Sequence, residues 1–331
     1  MTNLRIDTIS LSGCAVLAPM SGISDWPFRL LAARYGAPLV VSEMVASDRL
    51  IAREEETRLK TEGAGLDVHA VQLAGCRADD LAEAARIAEG AGAHLIDINM
   101  GCPAKRVVGG WAGSALMRDI DHASSLIRAT VAAVKIPVTV KMRLGFDRTM
   151  LNAPELARRA QDEGAALVTV HGRTRCQRYK GRADWGAIAA VKAAVTIPVI
   201  ANGDCGGTAD ARTALARSGA DGVMIGRAAV GAPWLPGVVS AALDNRAAPR
   251  VPRTPSEYAA LALEHLETLC ECAGVALGVR LARKHLSAYF DAHSVPASLR
   301  TAALTADTLP AASAAVAACF DAAEPRKMLA A

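Results

Sequence analysis

The chain has 331 residues, of which 52% are hydrophobic and only 4% aromatic, and its formal net charge is +4. This length exceeds one small domain and suits an α/β barrel with an appended segment. No long uncharged apolar run and no N-terminal signal core is present, so we expect a cytoplasmic protein without a membrane span. The eight cysteines contain no C-x-x-C pair, which argues against a metal or iron–sulfur site.

Short apolar runs rich in β-branched residues alternate with helix-like segments through the first 245 residues. The predicted strands are 16–20, 39–44, 68–74, 95–99, 138–142, 167–171, 199–201 and 222–225. The predicted helices between them are 27–35, 79–90, 123–134, 154–163, 185–194 and 209–218. Eight such units with nearly continuous apolar strands predict a closed (β/α)8 TIM barrel. The first strand is not followed by G-x-G-x-x-G, which disfavours a dinucleotide-binding sheet.

The pattern changes near residue 245, where an Arg- and Pro-rich stretch at 244–255 indicates a linker. Helical patterns alone follow, over 256–273, 279–290, 296–307 and 310–320, and we expect Ser256 to cap the first of them. We therefore predict a catalytic barrel over 1–245 and a small all-helical domain over 246–331.

Unusual polar groups follow most of the predicted strands. Because the active site of a TIM barrel lies at the C-terminal ends of its strands, these groups should meet at one rim. The residues at or near these ends, glycines included, are Met20, Gln72, Asn99 with Cys102, Lys141 with Arg143, His171 with Arg173, Asn202 with Gly203 and Asp204, and Gly226 with Arg227.

The fourth strand runs directly into Asn99-Met100-Gly101-Cys102-Pro103-Ala104-Lys105-Arg106. A buried strand that stops at an amide and turns through Gly and Pro would present Cys102 beside two cations. A thiol in that setting is suited to giving up or accepting a proton.

Lys141 lies within a buried strand, where an ammonium is costly unless it has a partner. Three roles are open: stabilising an anionic cofactor, forming a Schiff base, or making an ion pair with Asp97 or Asp204. We favour the first, because Gln72 and Asn99 offer donors and acceptors suited to the edge of a heterocycle.

Glycines and cations concentrate in the loops after the last three strands. Gly203, Gly206, Gly207 and Gly226 let the backbone approach a phosphate, to which Arg227 adds charge, although Gly206 and Gly207 are equally explained by tight turns. The basic loop, residues 171–182, holds five cations and no acid, which favours a phosphate-bearing partner over a merely solvated loop. Arg280, Arg283 and Lys284 share one helix face, which is either an RNA contact or a solvated surface.

Together these segments resemble the tRNA-dihydrouridine synthase family, in particular its bacterial B branch. The run Met100-Gly101-Cys102-Pro103-Ala104-Lys105 is its most specific match, and Phe146 is a departure, since Trp is common there. That run lies within the matching segment 97–107, and the other matching segments are 17–20, 24–29, 42–44, 71–75, 112–116, 138–141, 171–175, 197–204, 224–229 and 280–285.

The resemblance implies an FMN-dependent enzyme that uses NADPH, or NADH, to reduce a uridine in the tRNA D-loop. Hydride would pass from flavin N5 to C6, and Cys102 would give a proton to C5. It further implies that Asn99, Arg143, His171 and Arg173 contact the substrate, with Arg280, Arg283 and Lys284 as further RNA contacts. The FMN contacts it implies are Ala18, Pro19, Met20, Gln72, Lys141, Asn202, Gly203, Asp204, Gly226 and Arg227.

Three other functions are compatible with parts of the pattern. One is a flavin-dependent barrel that reduces a free pyrimidine or another small acceptor, against which the helical domain and the basic loop argue. The second is an aldolase that uses Lys141 as a Schiff base, and the third is an RNA-binding protein without catalysis. We expect a monomer that binds tRNA and NAD(P)H and needs no metal.

Overall fold

Eight parallel strands form a closed barrel in the computed structural model, which describes residues 4–325. Each strand pairs with the next, and β8 pairs with β1 to close the barrel, so the predicted TIM barrel is confirmed. The strands are β1 (Ala15–Leu17), β2 (Val40–Val41), β3 (His69–Ala74), β4 (Leu95–Met100), β5 (Val138–Arg143), β6 (Leu167–His171), β7 (Val199–Asn202) and β8 (Gly222–Ile225).

The second strand is shorter than predicted, because polar side chains interrupt it. After Val41 the hydroxyl of Ser42 accepts a hydrogen bond from the Gln72 N–H at 3.0 Å, and the Glu43 carboxylate accepts one from the Gly22 N–H. Pairing resumes at Val45–Ala46, which lies beside the end of β3. The prediction of one continuous strand over 39–44 was therefore wrong.

Fourteen α-helices follow the strands or form the C-terminal region within residues 4–325. They are α1 (Trp26–Arg34), α2 (Ser47–Ile51), α3 (Glu55–Lys60), α4 (Ala78–Gly90), α5 (Lys105–Gly109), α6 (Ile120–Ala133), α7 (Ala153–Asp162), α8 (Ala189–Ala194), α9 (Thr208–Ser218), α10 (Leu235–Leu243), α11 (Pro255–Ala273), α12 (Val275–Asp291), α13 (Ala297–Thr305) and α14 (Leu309–Asp321).

The remaining elements are short. The 3-10 helices are Gly113–Arg118, Gly186–Ile188 and Arg227–Ala229, and two antiparallel pairs join Arg5–Ile6 to Ile9–Ser10 and His293–Ser294 to Glu324–Pro325.

Glycine and proline residues set where several barrel elements begin and end. Gly219 ends α9 in the left-handed region (φ +67°), where its N–H donates to the Leu215 carbonyl, and β8 follows at once. Pro137 and Pro198 precede β5 and β7, and their carbonyls accept hydrogen bonds from the neighbouring strands at 3.1 Å. The predicted strand positions follow from this local chemistry.

The helical region has its own apolar core and packs onto the barrel through α1. Leu31 of α1 lies in the same buried cluster as Leu266, Leu286 and Phe320. Thr254, not Ser256, caps α11: its hydroxyl accepts from the Glu257 N–H while Glu257 reaches back to the Thr254 N–H. The prediction for Ser256 was wrong because Pro255 takes the first helical position, which suits a residue without an N–H.

All eight cysteines lie within the described residues and are free thiols. In the same part of the chain, no helix is long and apolar enough to cross a membrane.

Candidate active site

A cavity of about 1070 Å³ opens at the C-terminal ends of the barrel strands. This is the size of sites that hold a small ligand or cofactor. The structure brings almost all predicted site residues together in its wall: Ala18, Pro19, Met20, Gln72, Asn99, Cys102, Lys141, Arg143, His171, Arg173, Asn202, Gly203, Asp204, Gly226 and Arg227.

A chain of side-chain hydrogen bonds runs from the barrel interior to Cys102. Asp97 accepts from the Thr139 hydroxyl at 2.6 Å and from the Gln72 amide at 2.6 Å. Gln72 in turn accepts from Asn99 Nδ2 at 2.8 Å, and Asn99 Oδ1 accepts from the Cys102 N–H at 2.9 Å. Burial raises the pKa of Asp97 to about 6, and the two donors oppose that rise. The orientation of the Cys102 turn is therefore set by groups deep in the barrel.

Lys141 points into the cavity without a carboxylate partner among the described residues. Its Nζ donates to Asn202 Oδ1 at 3.1 Å, and Asn202 Nδ2 donates to the Met224 carbonyl at 2.8 Å. Burial, together with Arg143, lowers the pKa of Lys141 to about 8, while Asp97 opposes that fall. The structural ion pair considered from the sequence is not formed, so the ammonium remains available to an anionic ligand.

Cys102 is partly exposed on the loop that leaves β4. Its carbonyl accepts from the Ser114 hydroxyl at 2.8 Å and from the Ser114 N–H at 3.0 Å. A β-carbon at Gly113 would lie 2.9 Å from that carbonyl, so this close approach requires glycine. The loop thus leaves β4 and closes back on Cys102, holding the thiol at the wall of the cavity.

Two buried guanidinium groups organise the basic loop rather than lying free. Arg143 donates to the carbonyls of Gly101, Thr174 and Arg178 at 2.7–3.0 Å. Arg173 donates to the carbonyls of Lys180 and Gly181 and pairs with Asp204 at 2.5 Å. Both residues line the cavity, but most of their hydrogen-bonding capacity holds 171–182 against the barrel.

His171 is neutral in this environment. Burial lowers its pKa to about 2, with further lowering by Lys141 and the nearby arginines. Arg173 Nη1 lies 3.2 Å from His171 Nε2, which fits an unprotonated acceptor nitrogen. As a neutral ring, His171 can accept a hydrogen bond from a ligand or donate one to it.

Tyr179 is a site residue that the sequence pattern did not single out. It lines the cavity with 55% exposure, and the guanidinium carbons of Arg143 and Arg227 lie 5.6 and 5.3 Å from its ring centre. Its ring centre is 6.4 Å from that of His171. Its position as an aromatic residue within a cationic loop could have identified it, because such a combination is typical of nucleic-acid binding. The prediction for this loop rested on its charges alone.

The loops after β7 and β8 form the opposite wall and fit a phosphate. Gly203 has φ +108°, a conformation that favours glycine, and Gly226 lines the cavity beside Ala18 and Met20. Helix α9 follows the first of these loops, and the Asp210 carboxylate in its first turn accepts a hydrogen bond from the Gly206 N–H at 2.8 Å. Arg227 lies 3.6 Å from the Asp204 carboxylate and is 66% exposed, so its charge can face a ligand.

The three cations predicted on one face of α12 do not line the cavity, and their surroundings differ. Arg283 pairs with Asp307 at 2.9 Å, whereas Arg280 is exposed. Lys284 Nζ lies 3.8 Å from the Asp25 carboxylate, at the junction with the barrel. Their contact with RNA stays a prediction.

Asp25, His265 and His285 join the barrel to the helical region. Their ligating atoms lie within 4.8 Å of one another, and His285 Nε2 is 2.9 Å from Asp25 Oδ2. Burial alone would raise the pKa of Asp25, but His285 and His265 hold it well below its ordinary value. The Asp25 carboxylate already has a hydrogen-bond partner in His285 and a nearby positive charge in Lys284. The geometry therefore favours a polar contact between the two regions over a metal site.

Comparison with known proteins gives a consistent result. The dihydrouridine synthase (Dus) family model matches residues 16–324. A probable tRNA-dihydrouridine synthase of Rhodobacter capsulatus is 52% identical over 296 residues, which cover 88% of this chain and 91% of that protein. The tRNA-dihydrouridine synthase B of Xanthomonas axonopodis pv. citri is 46% identical over 306 residues, covering 92% of each.

Among solved structures, mandelate oxidase aligns with a TM-score of 0.46 and 20% identity, over 72% of this chain and 71% of that one. The family model spans nearly the whole chain, and the two relatives exceed 45% identity over most of their length. The chain therefore belongs to the dihydrouridine synthase family, a family of flavin-dependent oxidoreductases.

Proposed function

We propose that this protein reduces a uridine in the D-loop of tRNA to 5,6-dihydrouridine, with FMN as cofactor and NADPH as reductant, as a cytoplasmic monomer. One observation carries the proposal: the wall of one cavity combines the Lys141 ammonium, which has no carboxylate at ion-pair distance among the described residues, with the thiol of Cys102. The first suits an anionic flavin and the second suits protonation of a reduced base.

The cavity residues fit FMN in two parts. Gln72 and Lys141, with the segment Ala18 to Met20, are suited to the polar edge of the ring system. Gly203, Gly226 and Arg227, with Asn202 beside Lys141, are suited to the phosphate end, because glycine turns let backbone N–H groups approach an anion and Arg227 adds positive charge. Asp204 would contribute there by holding Arg173 and Arg227 in place. When bound, the flavin supplies the hydride for C6 of uracil, and Lys141 stabilises the negative charge of the reduced ring.

Cys102 supplies the proton that the reaction needs at C5. Hydride at C6 and a proton at C5 together add two hydrogens across the double bond, and NADPH restores the reductant. Asn99 accepts from the Cys102 N–H and Ser114 donates to the Cys102 carbonyl, so the backbone that carries the thiol is held on both sides. General acid catalysis by a positioned group contributes about 10²–10⁴-fold in rate.

The target base must leave its stack to reach this cavity. Asn99, Arg143, His171 and Arg173 would meet the base or its phosphate, with Tyr179 at the mouth. We assign the barrel to 1–245 and tRNA binding to 246–331, where Arg280, Arg283 and Lys284 lie; residues 326–331 of this segment are outside the described part.

The decisive experiment is a mass map of unmodified tRNA transcript after incubation with the purified holoenzyme and NADPH. A gain of two hydrogens on one D-loop uridine is the expected result. Reduction of free uracil or uridine with none on tRNA would instead establish the small-acceptor alternative. A borohydride-trapped substrate adduct on Lys141 would replace the flavin role with a Schiff base.

Cys102→Ala tests the proton donor. This variant should retain FMN and oxidise NADPH, while uridine reduction falls by about 10²–10⁴-fold. Cys76→Ala is the matched control, because Cys76 is partly exposed and does not line the cavity. Dihydrouridine formation by Cys102→Ala at the rate of Cys76→Ala would remove Cys102 from the reaction.

A further inference from the structure

Trp111 is held on the surface in an unusual backbone conformation. It is 58% exposed, and its φ of +57° is in the left-handed region, which a bulky L-residue rarely adopts. The other three tryptophans of the chain are at most partly exposed. A strained backbone that presents a large aromatic ring to solvent is typical of a binding role.

Behind Trp111, cationic and aromatic side chains alternate in a stack. The Arg118 guanidinium lies 5.5 Å from the Trp111 ring centre and 5.1 Å from that of Phe146. Arg175 covers the Phe146 ring at 5.1 Å. We name Trp111, Arg118, Phe146 and Arg175 the cation–π stack. Its outer member is an exposed ring, and its inner members fix that ring in place.

The charges of this stack are not neutralised by ion pairs. Within residues 4–325, neither Arg118 nor Arg175 lies within ion-pair distance of a carboxylate. Hydrogen bonds from Thr149, with a contribution from the Arg118 charge, hold the pKa of Asp147 below its usual range, although the two charges are not at ion-pair distance. The stack therefore offers an aromatic face and two positive charges side by side.

Two loops connect the stack to the active site. Trp111 belongs to the loop that leaves Cys102, and its N–H donates to the Val108 carbonyl at 3.1 Å. Gly113 and Ser114, immediately beyond it, contact the carbonyl of Cys102. Arg175 belongs to the basic loop, whose Arg178 and Tyr179 line the cavity. The four stack residues do not themselves line the cavity, but the loops that carry Trp111 and Arg175 do, so an RNA segment that places a base in the cavity can extend over the stack.

We propose that the cation–π stack is a docking surface for an unpaired nucleotide of the RNA, next to the nucleotide whose base enters the cavity. Trp111 stacks on its base, and Arg118 and Arg175 face its phosphate. The inference rests on the proposed function for the identity of the RNA. Single-stranded nucleic acid is the class of ligand that this pairing suits, because every base has a π-face and every phosphate a negative charge. Trp111 is thus a binding residue that contributes no chemistry.

The test compares Trp111→Phe with Trp111→Leu in the holoenzyme. Phe keeps an aromatic face, whereas Leu keeps only apolar bulk. Three quantities are measured on unmodified tRNA transcript: KM, kcat, and the Kd from filter binding without NADPH. The rate of NADPH oxidation without tRNA controls for damage to the flavin site. A second pair compares Arg118→Gln with Arg86→Gln, which removes an exposed charge on α4.

Trp111→Leu should raise Kd and KM for tRNA by on the order of tenfold, with unchanged NADPH oxidation, while Trp111→Phe stays within about threefold of wild type. Arg118→Gln should lower the slope of log Kd against log salt by about one, and Arg86→Gln should not. Equal effects of Phe and Leu, or a Leu variant with unchanged Kd, would overturn the proposal. If wild-type enzyme binds tRNA without forming dihydrouridine, the proposed function fails while the Kd comparison still decides the role of Trp111.

Discussion

Asn99→Ala is expected to detach the Cys102 turn from the barrel interior. In the structure Asn99 Nδ2 donates to Gln72 Oε1 at 2.8 Å, and its Oδ1 accepts from the N–H groups of Gly101 and Cys102 at 3.2 and 2.9 Å. Alanine leaves the two buried partners, Gln72 Oε1 and the Gly101 N–H, without hydrogen bonds. The Cys102 N–H is only partly buried and can turn to water.

Each buried group left unsatisfied costs about 1–3 kcal/mol, so the free energy of unfolding should fall by about 2–6 kcal/mol. Denaturant unfolding of the flavin-free protein measures this fall as a lower midpoint at unchanged slope. Ser114→Ala is the matched control on the same turn. It removes one hydroxyl bond to the Cys102 carbonyl, while the Ser114 N–H still donates to that carbonyl. We expect a loss near 1 kcal/mol for it.

Alkylation of Cys102, followed by peptide mapping, reports on the same turn without unfolding. Asn99→Ala should accelerate labelling of Cys102 and leave labelling of the exposed Cys176 unchanged. An unfolding free energy within about 0.5 kcal/mol of wild type, with unchanged labelling, would refute this reasoning. If KM for tRNA nevertheless changed, Asn99 would act on the substrate alone, as the family resemblance implies.

Three further results are expected. Lys141→Ala should lose FMN or bind it weakly, and full flavin occupancy after gel filtration would exclude Lys141 from the cofactor site. Burial and His265 lower the pKa of His285 to about 4 from 6.5, although Asp25 opposes this. Between pH 4 and 6.5 the unfolded chain therefore binds more protons than the folded chain. The contribution of His285 to the free energy of unfolding is complete above pH 6.5 and is lost as the pH falls towards 4. Unfolding midpoints at pH 7 and 4.5 should differ less in His285→Gln than in wild type. Thr254→Ala should cost about 1 kcal/mol of stability and Ser256→Ala almost none, and equal losses would contradict the assigned cap.

The fold could be predicted because its signals are local. The apolar runs of the barrel strands are bounded by residues that act on their own neighbours, as Pro137, Pro198 and Gly219 do. The break after β2 was missed because its cause is distant in sequence. Ser42 accepts from Gln72, and Glu43 accepts from Gly22, so the interruption depends on contacts that exist only after the barrel has closed.

The membership of the candidate site was accessible from the sequence for the same reason. In a parallel barrel, the residues that end the strands all lie at one rim, independently of the direction in which each side chain points. Side-chain direction was not accessible, because it depends on which acceptors the finished loops present. The contact of Asp25 with His265 and His285 likewise joins a barrel helix to two helices far along the chain.

Arg173 differs from the other cations of the basic loop in a way that matters for RNA recognition. From the sequence alone, the five cations could not be distinguished by exposure or partners. In the structure Arg173 is only 2% exposed, and it donates to the carbonyls of Lys180 and Gly181 and to the Asp204 carboxylate. Its charge holds the loop and is compensated there, so it adds little to the field outside. Arg178 lines the cavity, Lys180 and Arg182 are exposed on the same loop, and Arg175 turns towards Phe146. Removing Arg173 should therefore disorder the loop, whereas removing an exposed cation should weaken tRNA binding in a salt-dependent way.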